Sequence, residues 1–188
     1  MREFKNSFAG PATVKSKYGL RVLEELGVLL AIFEVEQKPF INEKIKPSTF
    51  YEGLWRYDCG EVWLYAPSTG RYLEVNIAPN GAWWACVFSG VRVRDTNCVP
   101  PLCEPSSVET DHSWYVNIKL ELADIERCLG SLDNLQANVT LVLGGCPDVD
   151  APPENLHTIV PLSKMDFHQP EQWQPIEILI TDAGSNAV

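Results

Sequence analysis

Short runs of alternating hydrophobic and polar residues recur along most of this chain, punctuated by proline and glycine, and that rhythm predicts strands. Residues 29–36 read as a buried strand that turns alternating at its end. Clean alternation follows over 60–65 and 71–77. Asn80-Gly81 then marks a tight two-residue turn into a strand over 82–88. Further strands are predicted over 114–120, 138–143 and 176–180. Only 122–129 reads as helix, and residues 20–26 fit helix or strand equally. Segments 96–110 and 144–157 are polar and proline-bearing and read as loops, as do Ser68-Thr69-Gly70 and Ser89-Gly90. There is no internal repeat. The fold class is all-β: one antiparallel β-sandwich domain over residues 1–188, with one short helix.

Alternation also sorts side chains by face. Val62, Leu64, Leu73, Val75 and Ile77 share one face; Glu61, Trp63, Tyr65, Tyr72, Glu74 and Asn76 share the other. A two-residue turn at Asn80-Gly81 sets Ile77 opposite Trp84, which puts Trp84, Cys86 and Phe88 in the core and Trp83 beside Glu74 and Asn76. The outer face then mixes Trp63, Tyr65, Tyr72 and Trp83 with Glu61, Glu74 and Asn76. A simple solvated face carries Lys, Thr and Ser instead. Rings beside hydrogen-bonding groups suit a sugar, whose CH face stacks while its hydroxyls need directed partners. The alternative is that loops cover this face and make it a second small core.

Composition narrows the function. Fifteen basic and 25 acidic side chains give a net charge of −10 over 188 residues. Arg92 and Arg94 form the densest basic pair, so neither nucleic acid nor an anionic membrane surface is an expected partner. The 45% hydrophobic content is that of an ordinary globular domain. Met1-Arg2-Glu3-Phe4-Lys5-Asn6 has charge with no apolar stretch behind it, so it does not read as a signal peptide, and a soluble cytoplasmic protein is the expectation. In that setting the six cysteines are expected as free thiols, with Cys98 and Cys103 near enough in sequence to pair under oxidising conditions. No Cys-x-x-Cys occurs and the three histidines are scattered, which argues against zinc. Asp148, Asp150 and Glu154 lack the oxygen spacing of a calcium loop.

Three segments then resemble a known group. Gly53-Leu54-Trp55-Arg56-Tyr57-Asp58-Cys59-Gly60-Glu61-Val62-Trp63-Leu64 resembles the "Trp, then Asp-x-x-Glu-hydrophobic" segment of family 9 carbohydrate-binding modules and the wider DOMON-like group. The stretch from Tyr72 to Ala82 is similar to their following strand and turn. Met165-Asp166-Phe167-His168-Gln169-Pro170 is similar to the "Asp-Phe-His-x-Pro" signature of DOMON-like proteins. The resemblance spans roughly residues 28–180 and implies a β-sandwich that holds a saccharide against tryptophan. It implies that Trp55 stacks, that Glu61 and Asn76 contact ligand, and that Trp83 or Trp173 supplies a second ring. Glu74 departs from it, standing where sugar-binding members can carry Arg.

The resulting expectation is a non-enzymatic ligand-binding module without cofactor or metal, its partner a saccharide or sugar-like small molecule. Trp55, Trp63 and Trp83 stack, with Trp173 in reserve; Glu61, Glu74 and Asn76 take hydroxyls. The first alternative is an interaction or structural module that docks a protein partner or a second copy through the same face. A glycan-active enzyme using Glu61 and Glu74 is weaker, and Asp58 with Glu61 is badly arranged for one, being three apart on a strand. A haem-binding DOMON-type site is weaker still, because Met165 lies too close to His168 for opposite axial positions. Asp58 and His168 read instead as hydrogen-bonding anchors of turns.

Overall fold

The computed structural model describes residues 1–146 and 148–179. Two antiparallel sheets face each other. The first has five strands in the order β1 (Arg2–Glu3), β4 (Ser16–Leu23), β5 (Val28–Val35), β11 (Trp114–Glu121), β10 (Glu104–Glu109). The second runs β3 (Gly10–Pro11), β2 (Asn6–Ser7), β13 (Leu156–Thr158), β12 (Gln136–Val142), β6 (Cys59–Ala66), β7 (Arg71–Ile77), β8 (Trp83–Gly90), β9 (Val93–Arg94). On this sheet β14 (Gln174–Pro175) also pairs with β12. No described helix is long and apolar enough to cross a membrane.

The alternation read from the sequence does its expected work in the first sheet. Trp114, Val116, Ile118 and Leu120 of β11 are buried between the sheets, while Tyr115, Asn117 and Lys119 are only half-buried. They meet Val62, Leu64, Leu73, Val75 and Ile77 from the second sheet in the main core. Helix α1 (Leu122–Leu129) adds Ile125, Cys128 and Leu129 to this core and ends at Gly130, whose φ of +82° places it in the left-handed region. Gly60 is required by the packing between sheets: a Cβ there would stand 2.6 Å from the Phe33 ring.

The second sheet is buried on both faces. Its outward side chains form another cluster with Ile45, Leu54 and Tyr57 from the 37–57 segment and Ala151 and Trp173 from the chain after β12. The covering loops therefore do make a second core, and a cavity remains within it.

The hairpin between β7 and β8 departs from expectation. Its loop has three residues, Pro79-Asn80-Gly81, closed by hydrogen bonds from Ala78 N to Ala82 O (2.8 Å) and from Gly81 N to Ala78 O (2.8 Å). Gly81 takes a φ of +80°, the left-handed last position of this loop class. One extra loop residue changes the parity: Ile77 pairs with Trp83 and Asn76 with Trp84. Every side chain of β8 consequently lies on the face opposite to the predicted one. Trp83, Ala85 and Val87 belong to the main core, and Trp84, Cys86 and Phe88 to the outer cluster.

Other corrections are local. Residues 104–109, read as loop, form the edge strand β10; an edge strand with a solvated face needs few hydrophobic residues, so its pattern is weak. The short β13 begins at Leu156, within the other expected loop, and runs one residue past its end to Thr158. Pairing near the C-terminus occurs at Gln174–Pro175, and Ile176–Leu179 is a helical turn, α2, rather than a strand; Ile180 lies outside the described residues. Residues 20–26 divide between β4 and the 3-10 turn Glu24–Leu26. Ser89 and Gly90 end β8, and the turn falls at Val91-Arg92. The cysteines are free, and the thiol that shares the Val99 carbonyl with Cys98 (3.8 Å) is Cys128 (3.4 Å), while Cys103 is turned toward Pro101 O.

Gly60→Ala is expected to destabilise the fold by about 1–3 kcal/mol, because Phe33 has no empty space to move into. Denaturant unfolding checks this; an unchanged midpoint would contradict the tight contact.

Candidate functional site

The outward face of β12, β6, β7 and β8 carries Thr140, Glu61, Trp63, Tyr72, Glu74, Asn76, Trp84 and Phe88, as the strand register dictates. A cavity of about 390 Å³ opens within the cover above them. Glu61, Trp63, Glu74, Trp84 and Phe88 line it from the sheet. Trp55, Phe167 and His168 line it from the cover, with Arg92, Arg94, Asp150 and Asp166 also contributing.

Asp58 ties the cover down. Its carboxylate accepts from Phe40 N (2.9 Å) and Gln37 Nε2 (3.1 Å) through Oδ2, and from Gly144 N (2.7 Å) through Oδ1. Backbone donors meet this side chain as expected, but from distant segments rather than its own turn. The two covering segments are thus joined at the entrance to β6.

Glu61 is 2% exposed. Its Oε2 accepts from the Thr140 hydroxyl (2.6 Å), which in turn accepts from Trp63 Nε1 (2.8 Å). Burial pushes its carboxyl up to about 7. Glu74 is 5% exposed and lies diagonally across the β6–β7 ladder, since Glu61 pairs with Asn76 and Trp63 with Glu74. Burial, then the neighbouring Glu61 charge, raises it well above the usual carboxylate range. Asn76 Nδ2 donates to Glu74 Oε1 (3.1 Å).

His168 does more than hold its turn. Arg92 N donates to the Tyr72 hydroxyl (2.9 Å), which leaves the hydroxyl proton for His168 Nδ1 at 2.7 Å. The imidazole is pushed down to about 4 by burial and so is neutral at pH 7, with its proton assigned to Nε2, 3.9 Å from Glu74 Oε2. The two arginines are engaged at their tips. Arg92, in a left-handed conformation (φ +59°), ion-pairs with Asp166 (2.7 Å). Arg94 ion-pairs with Glu52 (2.6 Å) and its guanidinium lies 5.3 Å over the Trp84 ring.

Of the seven residues singled out in the sequence, Trp55, Glu61, Trp63 and Glu74 meet at the cavity. Asn76 is fully buried and orients Glu74 from behind. Trp173 is buried edge-on against Tyr65 and Tyr72, supporting the face without lining the cavity. Trp83 points into the opposite core, a direct result of the hairpin parity. Trp84 and Phe88 were missed for the same reason, and the loop Ala78-Pro79-Asn80-Gly81-Ala82 holds the only local signal for them. Trp55 is half-buried and meets Trp84 edge-to-face at 5.2 Å, so it is the ring best placed to offer a free face. Among the described residues no group of three His, Cys, Asp or Glu is placed to hold a metal ion.

A pH dependence follows from the buried groups. Folded Glu61 retains a proton that the unfolded chain, with a carboxyl near ~4.3, has already lost, so its contribution to stability falls as pH rises through about 7. His168 acts oppositely, losing stability as pH falls from 6.5 toward about 4. Comparing Glu61→Gln with wild type reads the first effect together with the relief of Glu74 from the Glu61 charge, which acts in the same direction: the variant's Tm relative to wild type should rise by roughly 3–8 °C between about pH 5 and pH 8.5. A difference that stays constant would contradict the assigned environment of Glu61.

No protein-family model and no curated protein sequence matches this chain. Solved structures do. A protein from Bacteroides uniformis ATCC 8492, provisionally described as carbohydrate-binding, superposes with a TM-score of 0.61 at 14% identity, over 92% of this chain and 83% of its own. A family 9 carbohydrate-binding module from Caldicellulosiruptor kristjanssonii, solved in complex with cellotriose, superposes with a TM-score of 0.53 at 10% identity, over 96% and 82%. At such identities the likeness speaks for the backbone arrangement, and the chain has the β-sandwich fold of the family 9 carbohydrate-binding modules.

Proposed function

We propose that this protein is a single non-catalytic module that binds a carbohydrate in the cavity above β6, β7 and β8. The observation that carries this reading is the cavity itself, where the buried hydrogen-bonding carboxyls of Glu61 and Glu74 sit among tryptophans. Its volume of about 390 Å³ lies toward the lower end of small-molecule sites, which run from ~300 to ~1,000 Å³. Concavity favours a small ligand over a flat protein partner. In this arrangement Trp55 presents a ring face to the sugar, Glu61 and Glu74 meet its hydroxyls, and His168 Nε2 adds a donor. The carbohydrate-binding descriptions of the two structural neighbours support the same reading.

The placement of the carboxyls supports binding without catalysis. Glu61 and Glu74 rise from the same sheet face and approach a ligand from one side, whereas glycoside hydrolysis needs its two carboxyls flanking one bond. Affinity is expected to be modest, with Kd on the order of 0.1 mM, because each hydrogen bond to sugar replaces one to water.

Titration with a panel of mono- and oligosaccharides, followed by tryptophan fluorescence and calorimetry, tests the proposal. Trp55→Ala should weaken binding about tenfold or more, as loss of a stacking ring costs ~1.5 kcal/mol or more. Tyr115→Ala, on the solvated face of the other sheet, should leave affinity unchanged. A folded protein that gives no signal across the panel would overturn the proposal.

A further inference from the structure

We infer that the preferred ligand is a sugar bearing a free amine, whose ammonium group is held by the buried carboxyls of Glu61 and Glu74. This rests on the carbohydrate reading and specifies the ligand class for the same cavity.

Charge around the cavity is unevenly spent. Arg92 is committed to Asp166 and Arg94 to Glu52. Among the described residues no Lys or Arg lies within ion-pair distance of Glu61 or Glu74. Glu61 is met by the Thr140 hydroxyl and the Cys59 thiol, both uncharged donors. Glu74 Oε1 accepts from Asn76, while among the described residues no group donates a hydrogen bond to Oε2, which stands 3.9 Å from the neutral His168. Cys86 lies opposite Glu74 on β8, and its thiol, pushed up to about 11, brings no charge at neutral pH. Exposed Asp150 adds another negative charge to the lining.

Two adjacent carboxyls removed from water are costly to ionise unless a cation accompanies them. Arg92 and Arg94 line the same cavity and favour the charged form of Glu74, but each is ion-paired with another carboxylate, so neither pairs directly with Glu61 or Glu74, and an ammonium group would. Rings next to the carboxyls suit the same group, because a cation is attracted to an aromatic face. Trp63 sits opposite Glu74 across the ladder, and Trp84 already carries the Arg94 guanidinium. A neutral hydroxyl satisfies an oxygen lone pair but leaves the charge uncompensated. Binding near neutral pH therefore converts a carboxylic acid into a carboxylate paired with the ligand's ammonium, and the carboxyl proton passes to buffer.

Matched pairs provide the test: glucosamine, galactosamine and mannosamine, each against its parent sugar and its N-acetyl derivative. Calorimetry is run near pH 6.5, where such an amine is protonated, in two buffers of different ionisation enthalpy. The amino sugar of at least one series should bind about 10-fold or more tighter than both neutral counterparts, as a charge-assisted hydrogen bond would give. It should release protons on binding, and its neutral counterparts should not. Glu74→Gln, shown to be folded by its thermal transition, should reduce the ratio of amino-sugar to parent-sugar affinity. If that variant does not fold, the matched pairs and the proton count on the wild-type protein decide alone. Parent sugars that bind as tightly as the amino sugars would overturn this inference and leave the carbohydrate reading standing. No binding by any member to folded protein would overturn both.

Discussion

The loop Pro79-Asn80-Gly81 sets the organisation of the outer face. Hydrogen bonds between Ala78 and Ala82 and between Gly81 and Ala78 fix three residues in the turn, and this fixes which half of β8 faces each way. Asn80 reinforces the arrangement, accepting from Ala82 N (3.0 Å) and donating to Ile45 O (3.1 Å), so the turn and the 37–57 cover are coupled. With this register Trp84 and Phe88 reach the cavity while Trp83 and Val87 fill the sandwich. A loop one residue shorter would exchange the two sets.

Double-sided burial is the second constraint. A sheet solvated on one face leaves its carboxylates in water with ordinary properties. Here the cover held by Asp58 encloses Glu61 and Glu74, and loss of water pushes both carboxyls upward. The same enclosure lowers His168, so acids tend toward their neutral forms and the base loses its charge. The floor of the site combines donors and acceptors with little fixed charge of its own, the lining's charges being exposed Asp150 and the ion pairs of Arg92 and Arg94. Such a surface suits polar ligands whose own groups complete the hydrogen bonding.

Aromatic packing gives this face rigidity as well as shape. Trp63 meets His168, Phe167 and Trp173, with ring centroids 4.9, 6.2 and 5.7 Å away. Tyr72 stacks on Phe88 at 4.5 Å while its hydroxyl links the Arg92 backbone to His168. Residues that look alike in sequence thus take different tasks: Trp173 supports, Trp63 forms part of the floor, and half-buried Trp55 lines the cavity from the cover.

The sequence by itself determined the sandwich, the bounds of β7 and α1, and the sharing of one face by Glu61, Trp63 and Glu74, because a strand's two-residue period is written in its own residues. It also carried the chemistry of a polar face set with rings. It did not determine the side on which Trp83 and Trp84 lie, since that parity depends on one turn whose two-residue and three-residue forms share the Asn-Gly signal. Nor did it place Arg92, Arg94 and His168 beside Glu74, or distinguish a lining tryptophan from a supporting one. Those outcomes depend on segments up to about a hundred residues apart in sequence meeting over one sheet, a proximity that local periodicity does not encode and only tertiary packing decides.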